Sequence, residues 1–209
     1  AQSRPADDAV PRHTHVTGVR LRHSLDERVA AAGFPARQIN SGLYRDNAGT
    51  DFGTAVHDVM EHLPQGDELE QVAATVASLY ELPTSAVKDV VRVAASFAES
   101  APYTRSLEAD AKAQRELPVI GTVDGTAVNG YIDLLYRDTS SDNAGWVIAD
   151  WKTDVTAKPE TVSSYFLQLD IYATLLEEAL GEPVTRLELI FAGVEEPQVV
   201  VHERGVDKR

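Results

Sequence analysis

RELPVIGTVDGTAVNGYIDLLYRDTSSDNAGWVIADWK, residues 115–152, is where the periodicity of the chain changes. Before it, apolar residues recur every three or four positions. Within it they alternate or run together, bounded by turn residues, which predicts strands. Two strands flank a turn near Asp124-Gly125, then come a polar loop DTSSDNAG (138–145) and a third strand GWVIADWKT (145–153). The VIA run of that third strand predicts burial on both faces. Outward on the C-terminal side, residues 159–180 predict a long helix, opened by Pro159 and closed by Gly181. RLELIFAG (186–193) and QVVVHE (198–203) predict two more strands. A three-strand meander, a helix and further strands imply an α/β fold with a central mixed sheet flanked by helices.

Outward on the N-terminal side, DFGTAVHDVMEHL (51–63) predicts a helix with Val56, Val59, Met60 and Leu63 on one stripe and Asp51 as its cap. A second helix is predicted over 67–80, with Leu69, Val72, Val76 and Leu79 inward. A third is predicted over 84–99, with Val87, Val90, Val91, Ala94 and Phe97 inward, and a short one near 104–112. Residues 1–50 read as an irregular basic segment punctuated by Pro and Gly, with one short helix near 24–32. The domain division is thus 1–50 and 51–209.

Composition narrows the function. The net charge is −14, which by itself disfavours nucleic acid and membranes. The charge is uneven: residues 1–45 hold seven Arg against four acids, while the remainder holds 12 basic groups against 29 acidic. There is no cysteine, so disulfides, thiol catalysis, cysteine-bound zinc and an iron–sulfur cluster are excluded. No apolar run reaches the ~18 residues of a membrane span, and nothing at the N-terminus reads as a secretion signal. The expectation is a cytoplasmic protein with no membrane partner. The absence of an initiator Met fits either its removal or excision from a longer polypeptide.

Asp150 and Lys152 lie two apart on a predicted strand, so they share a face. Asp133 interrupts the apolar strand GYIDLLY, where a carboxylate is costly unless paired or wet. Two converging carboxylates commonly share a divalent cation. His57 and Glu61, four apart, flank the buried stripe of their helix on one side; Asp58 and His62 point further toward solvent. Gln168 and Tyr172 repeat the four-residue spacing on the long helix, and Glu116 sits at the start of the first strand. Each of these has a plain alternative. D-x-K alone reads as a surface ion pair on an edge strand, Asp133 as a structural buried aspartate, His57 as a half-buried surface histidine, and Gln168–Tyr172 as packing.

In chain order these residues form G-x-x-x-H-x-x-x-E (Gly53, His57, Glu61), E-x-P (Glu116, Pro118), G-x-x-D (Gly130, Asp133), D-x-K (Asp150, Lys152) and Q-x-x-x-Y (Gln168, Tyr172). This pattern, over about residues 50–193, resembles the RecB-like branch of the PD-(D/E)XK nuclease superfamily, in particular the nuclease domain of RecB- or AddA-type helicase–nucleases. The resemblance implies a restriction-endonuclease-like αβββαβ core with extra N-terminal helices. It implies that His57, Asp133, Asp150 and the backbone carbonyl of Trp151 ligate Mg²⁺ or Mn²⁺. Lys152 is then the residue that orients or activates the attacking water. Gln168 and Tyr172 support the site or contact the strand, while Glu61 and Glu116 are possible supporting groups, Glu116 through water. Relatives with an iron–sulfur cluster carry cysteines that this chain lacks.

The resemblance also implies single-stranded DNA as substrate and a helicase module, in the same polypeptide or complex, as partner in DNA-end processing during recombination and repair. No G-x-x-x-x-G-K-[ST] occurs, so no ATP site is expected in this chain. A partner module would supply the positive channel that an acidic domain lacks. The alternatives are a free-standing nuclease of the same family, a non-catalytic scaffold binding DNA or a partner, and hydrolysis of a different substrate. Degenerate scaffolds lose the aspartates or the lysine, and here all are present. Arg20, Arg22, Arg37 and Arg45 could guide the strand or form a solvated linker. His13, His15 and His23 read as irregular surface.

Overall fold

The computed structural model describes residues 51–63, 68–108, 111–139, 144–154, 158–192 and 196–205. The helix expected near 24–32, the N-terminal arginines and the three N-terminal histidines lie outside them. Four helices come first: α1 (Asp51–His62), α2 (Glu68–Leu79), α3 (Ala86–Glu99) and α4 (Ala101–Ser106). The meander follows as β1 (Gln114–Val123), β2 (Thr126–Asp138) and β3 (Gly145–Lys152). Then come α5 (Pro159–Leu180), β4 (Val184–Phe191) and β5 (Gln198–Glu203).

The sheet order is β1-β2-β3-β4-β5, with β3 and β4 parallel and the other pairs antiparallel. The sheet is therefore mixed, as expected, and α5 is the crossover that a parallel pair requires. Asp124 and Gly125 both have positive φ, 51° and 78°. That makes a two-residue turn whose twist matches the strands it joins. Gly181 closes α5 in the left-handed conformation, φ 67°.

Two apolar layers cover the sheet. On one face Val56, Val59 and Met60 of α1 and Phe97 of α3 pack with Leu134, Tyr136, Val147, Ala149 and Trp151. On the other, Leu169, Tyr172, Ala173 and Leu176 of α5 pack with Leu135, Ile148, Leu187 and Leu189. Every residue of β3 and β4 is buried, because both strands are central and both faces are covered.

Three helical details depart from expectation. α4 begins at Ala101 rather than 104, because Ser100 caps it through its side chain and Pro102 occupies the first turn. α2 turns Ala73, Val76 and Ala77 inward, leaving Leu79 73% exposed; its small residues let α2 pack closely on its neighbours. In α3, Val93 joins the buried stripe.

Candidate active site

The pairing of β2 with β3 runs from Asp138↔Gly145 to Leu134↔Ala149 and ends there. Beyond that point β2 stays with β1 as far as the Thr126↔Val123 pair, while β3 stays with β4 through Lys152↔Phe191. The sheet forks, and the chemically interesting side chains gather at the fork.

Asp133 is the first residue of β2 past the last ladder pair. Its Oδ2 accepts a hydrogen bond from the backbone N–H of Trp151, 2.8 Å away. Its Oδ1 lies 3.4 Å from His57 Nδ1, and Glu116 Oε1 lies 3.6 Å from the same nitrogen. His57, Glu116 and Asp133 each offer a ligand atom, and these atoms lie within 4.8 Å of one another. Among the described residues this is the one such grouping of three. α1 delivers His57 because Val56, Val59 and Met60 clamp the helix to the sheet and set His57 at the margin of that buried stripe.

Glu116 arrives by a different route. It is opposite Asp133 on β1, between the paired Arg115↔Leu134 and Leu117↔Ile132, and its φ is +47°. A side chain with a Cβ adopts that conformation at a cost of order 1–3 kcal/mol. The strand irregularity is what turns the carboxylate toward His57.

Asp150 and Lys152 share the next stretch of β3, with Lys152 Nζ 2.5 Å from Asp150 Oδ2. Both are buried, so the edge-strand surface pair is not what D-x-K forms here. Lys152 Nζ also lies over the Tyr165 ring, 3.9 Å from its centroid. On α5, Gln168 donates from Nε2 to the Tyr172 hydroxyl at 3.0 Å. Gly130 of β2 lies against that hydroxyl, where a Cβ would collide with it. Trp151 stacks on Phe97 at 5.4 Å, which fixes β3 beneath the helices.

The electrostatics are those of a cation site. Burial alone would lower the His57 pKa, but Asp133 and then Glu116 outweigh it and hold it up at about 10. Burial would raise Asp133; His57 and Lys152 bring it below the ordinary carboxylate value instead. Asp150 is pushed up to about 6, first by burial, against the pull of Lys152 and with the repulsion of Asp133. One imidazole and two carboxylates at these separations suit a divalent ion with mainly oxygen ligands.

The structure thus brings His57, Glu116, Asp133, Asp150 and Lys152 to one fork, with Gln168 and Tyr172 on the helix beside it. Glu61 does not join them: it is exposed on the last turn of α1. Asp58, expected to face solvent, is half-buried and accepts a hydrogen bond from Tyr80 at 2.5 Å, tying α1 to the end of α2. Sequence reading missed a second polar cluster. Arg105, Tyr136, Asp138, Arg186 and Glu188 form a buried ionic network over β2 and β4. Its signal was the run of charges within the apolar strand R-L-E-L-I-F.

The PD-(D/E)XK nuclease superfamily matches residues 27–208. An ATP-dependent helicase/nuclease subunit from Lysinibacillus sphaericus (strain C3-41) is 36% identical over 152 residues, 63% of this chain and 12% of that protein. Its namesake from Streptococcus sanguinis (strain SK36) is 28% identical over 189 residues, 84% of this chain and 15% of that protein. The chain therefore spans only 12–15% of the length of these relatives. A crystal structure of SSO0001 aligns with 92% of this chain and 82% of its own at 14% identity and a TM-score of 0.38. Among the described residues no helix is long and apolar enough to cross a membrane.

Proposed function

The chain belongs to the PD-(D/E)XK nuclease superfamily, and from that premise we infer that it is a divalent-metal-dependent deoxyribonuclease unit hydrolysing phosphodiester bonds of single-stranded DNA. The convergence of His57, Glu116 and Asp133 within 4.8 Å carries the reading. Residues 51–209 carry every site residue of the nuclease unit, and the superfamily match reaches back to residue 27, inside the basic segment 1–50. The unit works as the nuclease part of a helicase–nuclease that processes DNA ends; likeness to two helicase/nuclease proteins supports that placement. Such an assembly works in double-strand-break repair and recombination, in the cytoplasm.

His57, Asp133, Asp150 and the Trp151 carbonyl would hold Mg²⁺ or Mn²⁺. Glu116, expected to act through water, is close enough to join them directly. In an extended strand a residue turns its N–H and C=O to the same edge. The Trp151 N–H meets Asp133, so its carbonyl faces the fork too. A bound divalent ion supplies charge neutralisation at the phosphate and lowers the pKa of the attacking water.

The remaining chemistry belongs to the chain. Lys152, aimed by Asp150 and the Tyr165 ring, orients the water and offsets charge developing on the phosphate oxygens. On α5 the half-buried Gln168 contacts the incoming strand, and Tyr172, buried in the core layer, supports the site by accepting the Gln168 hydrogen bond.

The test is cleavage of end-labelled single-stranded DNA with Mg²⁺, Mn²⁺ or EDTA, beside Asp150→Ala. Cleavage that needs both metal and Asp150 is expected. Equal cleavage by the variant overturns the assignment. Retained Mn²⁺ binding without cleavage by the native chain would instead favour a binding scaffold.

A further inference from the structure

Arg115 directly precedes Glu116 and pairs across the ladder with Leu134, the neighbour of Asp133. Directly opposed residues on an antiparallel pair share a face. Leu134 belongs to the layer under α1 and α3, so Arg115 projects on the side from which His57 enters. Its Nη2 donates to the Tyr103 hydroxyl at 3.0 Å, and its guanidinium lies over the Tyr103 ring, 5.1 Å from the centroid. Tyr103 in turn packs on Trp151.

Among the described residues, the cations of the other strands and their neighbours Arg105 and Arg204 are committed to carboxylates. Arg105 is held by Glu188, Arg186 by Asp138 and Glu188, Arg204 by Asp170 and Glu177, and Lys152 by Asp150. Arg115 is different: its partners are a hydroxyl and an aromatic face. An aromatic ring orients a guanidinium without cancelling its charge. One hydrogen bond to Tyr103 leaves most of its five donors available, and the residue is only half-buried. A polyanion approaching a chain of net charge −14 needs such a cation next to the acidic cluster.

We propose that Arg115, oriented by Tyr103, is a phosphate-binding residue that grips a phosphodiester of the nucleic-acid strand next to the one cleaved. The proposal rests on the nuclease reading and adds a substrate contact to it. A planar guanidinium meets two phosphate oxygens at once, which fixes the strand rather than merely attracting it.

The experiment is steady-state cleavage of a single-stranded oligonucleotide across a salt series by native protein, Arg115→Ala and Arg115→Lys. Arg115→Ala should raise KM roughly 10- to 100-fold, the usual effect of losing a charged hydrogen bond, with kcat within about threefold. The slope of log KM against log salt should fall by about 0.7, the loss of one single-strand phosphate contact. Arg115→Lys should restore the slope but not the full affinity. Unchanged KM and slope, or a fall in kcat at constant KM, overturns the proposal. Thermal melting checks folding, and Arg115→Gln replaces the alanine variant where that one melts early. If the native protein does not cleave, the nuclease reading fails separately, and fluorescence anisotropy of the same labelled oligonucleotide becomes the readout. Weaker binding by Arg115→Ala then supports the clamp. Equal binding, or none by either protein, overturns it.

Discussion

Without metal, the proton on His57 is the cation that balances Asp133 and Glu116. Its pKa stands at about 10 against an ordinary 6.5. The raised value means that the folded state holds this proton more tightly than the unfolded chain does. The resulting stabilisation is fully present below pH 6.5 and is lost as pH rises through 10. At 1.36 kcal/mol per pKa unit the contribution is on the order of 5 kcal/mol. For a chain of this length that corresponds to a fall in Tm of roughly 10–20 °C.

A metal ligated by His57 must displace the same proton. Apparent Mn²⁺ affinity should therefore rise about tenfold per pH unit, or roughly 30-fold between pH 7 and 8.5. Two assays check this. Calorimetric melting in EDTA across pH 6–10 should show the decline, and added Mn²⁺ should abolish it. Titration of Mn²⁺ at several pH values should show the slope, and His57→Gln should flatten it. An affinity independent of pH over that range, or metal-free melting temperatures that climb with pH, would refute the reasoning.

Three other perturbations follow from the geometry. Glu116→Gly removes both a ligand atom and a strained backbone, so at pH 9 without metal the protein should melt no earlier than the native chain while Mn²⁺ affinity drops; this is read by melting and titration together. Gly130→Ala pushes a Cβ into the Tyr172 hydroxyl and should cost about 1–3 kcal/mol in urea unfolding, with partial recovery on adding Tyr172→Phe. Glu188→Ala leaves Arg186 and Arg105 without their shared buried carboxylate and should cost about 3–5 kcal/mol in the same assay, without altering metal affinity.

The sheet was legible because its signals are local. Asp124-Gly125 marks the first turn, the VIA run marks a strand covered on both faces, and Gly181 marks the end of α5. The i, i+2 relation of Asp150 and Lys152 needs only the pleat. The closeness of Glu116 to His57 was not legible, because it depends on a positive φ that nothing in R-E-L-P announces. The Arg186–Glu188 pair was hidden for the opposite reason. Its charges look like the outward face of a half-exposed strand, and only the crossover through α5 places them beneath Arg105 and beside Tyr136. Asp58 and Leu79 exchange their expected environments because the end of α2 packs through Tyr80 and small residues.

At the fork, the carboxylate of Asp133 occupies the place where a carbonyl of a continuing strand would accept the Trp151 N–H. The acid is thus also a piece of backbone by proxy, and mutagenesis there has two meanings. Asp133→Ala orphans an amide on a residue that is 1% exposed, at a cost of about 1–3 kcal/mol, so its inactivity would mix damage with chemistry. Asp133→Asn keeps an oxygen for the Trp151 N–H and gives up the charge together with the second oxygen, the one that faces His57. At this position the amide, not the methyl, is the clean knockout.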